Sequence, residues 1–398
     1  MDITHQGIIT LLKSAITGAC LSLPDGFSLE SADSIIQSHS LLALACQGAA
    51  NCGIDTASEI MRRYQLQYYR GILRSERQMR KLTQLFQAFE ERGIDYLPVK
   101  GCNLKKMYPQ PEMRVMGDAD ILIRPGQKKE ISAAMNALGF TFQTENEHVY
   151  EWKCDALFVE LHKSLVPPED EDFFRYYGTG WDLAVHTGGH RYDLSAEDSF
   201  LFLFVHFARH YRFSGIGCRQ ILDLWVYRRA FPDLRQDYLA QELKKLKLSE
   251  FFQNTMHLLD VWFENAEPDE ISDLMTAYIF SGGSWGSAEA MLYSQQLKKA
   301  SQQGAVHHSG IQAFWRILFP SRTRMCYSYP VLLHSPYLLP FVWVVRWFHI
   351  LFLRPQNIRK NLTILHSMDD QKVLSRQQAM QAVGLDYYLD CDSAQEES

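Results

Sequence analysis

The chain has 398 residues, 46% of them hydrophobic and 22% charged, globular values that exclude a disordered, collagenous or fibrous protein. Forty Lys and Arg stand against 46 Asp and Glu, a net charge of −6, so the overall charge carries no strong nucleic-acid signature. The eight cysteines are scattered and form no C-x-x-C pair, which excludes a zinc ribbon or disulfide framework and points to a reducing, cytoplasmic setting.

The first residues lack a basic segment, and Lys13 interrupts the apolar run behind them, so no export signal is read there. Residues 8–19 read as an amphipathic helix capped by Asp2 or Thr4. From 31 to 92 the period is helical. Arg62, Arg63, Arg70, Arg74, Arg77, Arg80 and Lys81 alternate with Ile60, Tyr64, Leu73, Leu82 and Leu85 at spacings of three and four. Glu59, Glu76, Glu90 and Glu91 among them mark a solvated helix face rather than a nucleic-acid surface. Gly93 closes this helix.

The period then changes. Residues 96–99 form a short apolar strand, 103–107 a brief helix, 118–124 a strand and 127–138 a helix. Strands follow near 140–143, 149–153 and 157–163. This mixture predicts a small α+β module with a mixed sheet at 93–194, behind an N-terminal helical region at 1–92. From 195 the pattern is helical again, giving a helical domain at 195–295. A basic, aromatic helical region at 296–385 begins with a Gln-, Ser-, Gly- and His-rich linker at 296–310. The last segment, 386–398, carries acids and no base and reads as a disordered acidic tail.

The residues that carry chemistry lie in the mixed module. Strand alternation puts Asp118 and Asp120 on one face, with Ala119, Ile121 and Ile123 on the other. Two such carboxylates repel unless a cation sits between them, and Mg²⁺ suits oxygen donors of this kind. A solvated strand edge would show the same alternation. Glu160, at the centre of the apolar strand Leu157-Phe158-Val159-Glu160-Leu161-His162, could complete a three-acid metal site or face water. Lys100-Gly101 lies where a strand gives way to a helix, so both are candidates for holding phosphate, with Arg114 as a second clamp.

The run Lys100-Gly101, Tyr108-Pro109, Arg114 and Gly117-Asp118-x-Asp120 resembles the uncharacterised bacterial nucleotidyltransferase-like family of the DNA polymerase beta superfamily. Val159-Glu160-Leu161-His162 is similar to that family's third acidic strand, and residues 203–223 resemble its helical region. The resemblance spans about residues 90–225. It implies metal-dependent transfer of a nucleoside monophosphate from an NTP such as ATP, with pyrophosphate released. Mg²⁺ or Mn²⁺ would be held by Asp118, Asp120 and Glu160, and Lys100, Gly101 and Arg114 would bind the nucleotide. The acceptor would be a small molecule, a sugar, a protein or an RNA. The alternative is a catalytically silent relative that keeps the fold as a binding or scaffold protein, at a membrane surface in polymer assembly.

His206 and His210 stand one helical turn apart, with His186 and His190 nearby in sequence. A metalloprotease helix would need Glu where Phe207 stands, so His206 and His210, like His162, are candidates for substrate contact or burial. Asp223 reads as an acid that orients Arg219 or is otherwise satisfied in the core. Phe280-Ser281-Gly282-Gly283-Ser284 looks like a phosphate loop, but no acid pair follows it, and it is expected to be a turn between helices. Residues 290–368 contain no acid and nine bases. Pro336, Pro340, Arg346 and His349 break the apolar run there, so it is too interrupted to span a bilayer. It reads as a buried helix or as an aromatic, basic surface for an anionic membrane or lipid-linked substrate, which would make the protein peripheral to a membrane. Of the two, packing of Trp343 and Trp347 inside a helical bundle is the expected outcome.

Overall fold

In this computed structural model, the described residues are 1–213, 215–283, 319–320, 322, 325, 329, 331–353 and 370–385. The chain opens with four helices: α1 (Ile3–Thr17), α2 (Leu29–Ser38), α3 (Leu42–Asn51) and the 33-residue α4 (Glu59–Glu91). Asp2, Ser28 and Ser58 cap α1, α2 and α4 by accepting backbone N–H groups that the helix leaves unpaired. α1 and α3 approach so closely that a Cβ on Gly48 would lie 2.1 Å from the Leu11 carbonyl oxygen. On α4, Ile60, Met61 and Tyr64 enter one core while Leu82, Leu85 and Phe89 enter another. Arg62, Arg63, Arg70, Arg74, Arg77 and Arg80 are exposed, as a solvated face requires.

The mixed sheet follows. Its strands are β1 (Tyr96–Pro98), β2 (Ala119–Ile123), β3 (Thr141–Glu145), β4 (Val149–Lys153), β5 (Phe158–His162), β6 (Ala184–Gly188) and β7 (Arg191–Leu194). They lie in the order β3-β4-β5-β2-β1-β7-β6. β2 runs parallel to β5 and β1 parallel to β7; the other neighbours are antiparallel. Between strands come α5 (Gly101–Leu104), α6 (Lys128–Ala137) and α7 (Glu171–Tyr177). Side-chain alternation divides the sheet between two cores. Tyr96, Ala119, Ile121, Ile123, Val159 and Leu161 join α4 and α6 on one face, through Leu85, Phe89, Ile131 and Met135. Leu97 and Leu122 point the other way, into the larger core shared with the later helices.

The strands predicted from the period are present, with ends displaced by a residue or two. The β6–β7 hairpin and α7 were not anticipated, although Gly188-Gly189 between alternating residues is a recognisable hairpin turn. The hairpin extends the sheet on the far side of β1.

After the sheet come α8 (Ala196–Phe213), α9 (Cys218–Ala230), α10 (Gln236–Lys245), α11 (Ser249–Phe263) and α12 (Glu270–Gly282). The expected turn at Phe280-Ser281-Gly282 is instead the last part of α12, and Gly282 and Gly283 pack tightly against the Ile216 and Gly217 backbone. Three further helices are described: α13 (Val331–His334), α14 (Leu339–Leu353) and α15 (Asp370–Ala382). Trp343 donates its indole N–H to the Pro320 carbonyl at 2.9 Å, and Phe319 meets the Trp343 and Trp347 rings edge-on. Both tryptophans are half-buried, while Tyr337 and Phe341 remain 76% and 75% exposed. Among the described residues, no helix is long and apolar enough to cross a membrane. The expected linker at 296–310 and acidic tail at 386–398 lie outside the described residues.

The Gly48 contact sets a stability test. A methyl there must push α1 and α3 apart, because the atom it meets is backbone. Gly48→Ala is expected to cost about 1–3 kcal/mol, read as a lower urea midpoint.

Candidate active site

The site forms where β2 and β5 lie side by side. Their parallel register places Asp120 beside Glu160 and Leu122 beside His162. Period-2 alternation turns Asp120, Glu160 and His162 away from the face that buries Ala119, Ile121, Val159 and Leu161. The three predicted carboxylates therefore gather from two neighbouring stretches. Asp118, just before β2, is half-buried; Asp120 is buried and Glu160 half-buried. A fourth acid, Glu151 on β4, pairs with Glu160 in register. It was missed because Tyr150 and Trp152 beside it read as ordinary strand residues.

Two nitrogen groups meet Asp120 Oδ1: Lys100 Nζ at 3.1 Å and His162 Nε2 at 2.8 Å. His162 Nε2 also lies 3.4 Å from Glu160 Oε2, so this imidazole sits between the two acids. Burial works to raise the Asp120 carboxyl, but Lys100 and the His162 hydrogen bond outweigh it and hold it below its ordinary value. For Asp118, burial and then the Asp120 and Glu160 charges act in one direction and push it up to about 6. Burial, followed by the Glu160 charge, also raises Glu151. Burial acts to lower His162, yet its hydrogen bonds to Asp120 and Glu160 leave its pKa raised.

Lys100 adopts φ +47°, a left-handed conformation that a non-glycine residue enters at a cost of order 1–3 kcal/mol. From there it caps α5. Gly101 is buried and faces inward: a Cβ would lie 2.9 Å from Arg114 Nη1. Arg114 corrects the clamp expectation. Its Nε and Nη2 donate to the two oxygens of Asp223 at 2.8 and 2.9 Å, and Tyr108 Oη donates to Asp223 Oδ1 at 2.7 Å. Asp223 thus serves Arg114, 109 residues away, rather than Arg219 alone.

The segment leading into Asp118 is held at three successive carbonyls. Lys105 Nζ donates to Arg114 O at 2.9 Å, Arg219 Nη1 to Val115 O at 3.0 Å and Gln78 Nε2 to Met116 O at 3.1 Å. These donors come from the turn after α5, from α9 and from α4. Arg219 stood out in the sequence only as a partner for Asp223, and Lys105 and Gln78 showed no signal there.

α8 brings His206 and His210 to the Lys100 side, with their Nε2 atoms 3.1 Å apart. Burial first, then Lys100, holds His206 well below its ordinary value; burial and Arg209 hold His210 at about 3. His186 and His190 are engaged elsewhere, with Gly189 O and Asp95. Beside Lys100 opens a cavity of about 340 Å³, walled by Val99, Leu104, Phe202, Leu203, Tyr227 and Phe231.

Residues 26–264 match a family described as uncharacterised nucleotidyltransferase. None of the curated proteins matches the chain. One solved structure with a similar chain is the solution structure of the antibiotic-resistance factor ANT(2'')-Ia, reported to show substrate-regulated conformation dynamics. It is 12% identical, covers 48% of this chain and 100% of its own, and superposes with a TM-score of 0.31.

Two tests follow from the electrostatics. Asp223→Ala leaves the Arg114 charge buried and unpaired, so a loss of about 3–5 kcal/mol in urea unfolding is expected. The double variant Arg114→Met/Asp223→Leu should lose much less. For Asp118 the folded pKa lies above the unfolded one, so the folded state binds more protons in between and stability falls as pH rises from about 4 to about 6. Asp118→Asn removes that penalty: in metal-free buffer its urea midpoint should exceed the wild type's at pH 7 and match it at pH 3.5.

Proposed function

The chain belongs to the uncharacterised nucleotidyltransferase family, and from that premise we propose that it transfers a nucleoside monophosphate from an NTP to an acceptor hydroxyl. The observation that carries this reading is the pairing of Asp120 with Glu160 across parallel strands, with Asp118 at the entrance to β2. In the reaction, a bond forms between the acceptor oxygen and the α-phosphorus. The bond from that phosphorus to the bridging oxygen breaks, and pyrophosphate leaves.

The acid cluster fits a divalent cation. Its donors include hard carboxylate oxygens, and Asp120, Glu160 and His162 each place a ligand atom within 4.8 Å of the others'. Asp118, Asp120 and Glu160 would hold Mg²⁺ or Mn²⁺. When bound, such an ion stabilises charge on the attacking and leaving oxygens of phosphoryl transfer.

The chain's own residues supply the rest. Glu160, less buried than Asp120, accepts the acceptor's proton and passes it to solvent. The Lys100 ammonium, already beside Asp120, offers its positive charge to the triphosphate. Arg114 acts by position: with Asp223 it holds the segment that presents Asp118. The cavity beside Lys100, with its Phe202 and Tyr227 walls, would take one substrate, and Lys100, which lines it and bonds Asp120, is its link to the acids.

α-Labelled NTP incubated with Mg²⁺ and pools of candidate acceptors should give a labelled product and pyrophosphate. Asp118→Ala and Asp120→Asn should each lower the rate by 100-fold or more, roughly the loss of a preorganised charge-stabilising group. Calorimetry should show that Mg²⁺ strengthens NTP binding in the wild type and not in Asp120→Asn. Equal NTP affinity with and without Mg²⁺, and no pyrophosphate from any of the four NTPs, would replace this reading with that of a silent scaffold.

A further inference from the structure

We infer that His162 is a nitrogen ligand of the cation site, oriented by a hydrogen-bond chain that starts at the Val166 carbonyl, and that the site therefore favours Mn²⁺ over Mg²⁺. The inference rests on the reading of the acid cluster as a cation site and adds a ligand that the three-carboxylate set lacks.

The chain of bonds has one consistent direction. A carbonyl only accepts, so Ser164 Oγ donates its single proton to Val166 O, at 2.8 Å. Ser164 Oγ then accepts from His148 Nδ1, 3.0 Å away, which places a proton on that nitrogen. His148 Nε2 lies 3.0 Å from His162 Nδ1, and two N–H groups cannot face each other there. His148 Nδ1 already carries the proton of a neutral ring, given to Ser164 Oγ, and the ring is half-buried against His162. His148 Nε2 is therefore bare, and His162 donates to it from Nδ1.

That assignment decides what His162 offers at its other nitrogen. Nε2 is the atom 2.8 Å from Asp120 Oδ1 and 3.4 Å from Glu160 Oε2. With Nδ1 committed as a donor to His148, Nε2 is the atom that faces both acids; without metal it donates its proton to Asp120, and it offers a lone pair once that proton leaves. Asp120, Glu160 and His162 each have a ligand atom within 4.8 Å of the others'. A metal held there would displace the Nε2 proton to solvent and would have the Asp120 and Glu160 carboxylates and this imidazole as its closest set, with Asp118 beside them. Mg²⁺ takes oxygen ligands and gives up its water reluctantly, so one imidazole in the set counts against it, whereas Mn²⁺ suits carboxylates as Mg²⁺ does and, as a transition ion, accepts a nitrogen beside them. The Ser164–His148 pair does for His162 what a supporting hydrogen bond does for metal-bound histidines generally: it fixes ring orientation and tautomer.

The test uses the full chain, metal alone and no nucleotide. Free Mn²⁺ is counted by its electron paramagnetic resonance signal, Mg²⁺ is added as competitor, and pulsed resonance on bound Mn²⁺ looks for a directly coordinated ¹⁴N. The wild type should show that nitrogen and hold Mn²⁺ about tenfold or more tighter than Mg²⁺. His162→Gln should lose both features while still binding Mg²⁺ through the acids. Ser164→Ala, which leaves every ligand in place, should weaken Mn²⁺ about tenfold with little effect on Mg²⁺. Near-ultraviolet circular dichroism checks that each variant is folded, and the nitrogen signal needs only the wild type. Bound Mn²⁺ without nitrogen coupling, or an unchanged preference in His162→Gln, would overturn the inference and leave the carboxylate site standing. Binding of neither ion would overturn both.

Discussion

The ion pair between Arg114 and Asp223 is the contact on which the geometry of the site depends. Its two members are 109 residues apart, one before β2 and the other within α9, and both are buried. A charge pair of this kind repays its desolvation only with good geometry, and here two parallel hydrogen bonds and a third from Tyr108 provide it. The pair fastens the segment before Asp118 to the helices that cover the sheet. Gly101 allows it, because any side chain there would meet the guanidinium. Lys105, Arg219 and Gln78 then secure the next three carbonyls. Helices from both ends of the family region thus fix where the first acid of the site stands.

The sheet's two faces have separate duties. The side that buries Ile121, Val159 and Leu161 against α4 and α6 is packed with aliphatic and aromatic side chains. The other side carries the acids at its centre, beneath residues of α8 and α9. Carboxylates so close together would expel one another's charge in a simple hydrophobic cover. Their neighbours are instead Lys100, His162, His148, His206 and His210. Burial works to keep three of these imidazoles neutral, so the Lys100 ammonium and the His162 hydrogen bond are what meet Asp120 directly. A small set of groups therefore balances a cluster of acids without flooding the site with cations.

Much of this was legible in single segments. Alternation in Asp118–Ile123 and in Leu157–His162 showed which residues leave the core, because the period of a strand is local. The chain-order pattern also located most strands and the helices before and after them. The register between β2 and β5 was not legible, since it is set by tertiary packing. Nor was the destination of Arg114: a base near a glycine loop reads as a phosphate clamp until its distant acid is found. His148 and Ser164 sit at strand margins, where no periodicity applies, and matter only through a chain of bonds across two strands. The β6–β7 hairpin carried a Gly-Gly turn signal, but its strands are exposed or half-buried and lack the apolar run that announces the central ones.

The backbone at Lys100 sets what it costs to change that residue. Glycine would relieve the strain of φ +47°, about 1–3 kcal/mol, but it would leave the buried Asp120 carboxylate without its ammonium, a loss of about 3–5 kcal/mol. The acid therefore holds its own partner in a conformation that the backbone resists, and the turn stays bent only for as long as the charge beside it has to be met.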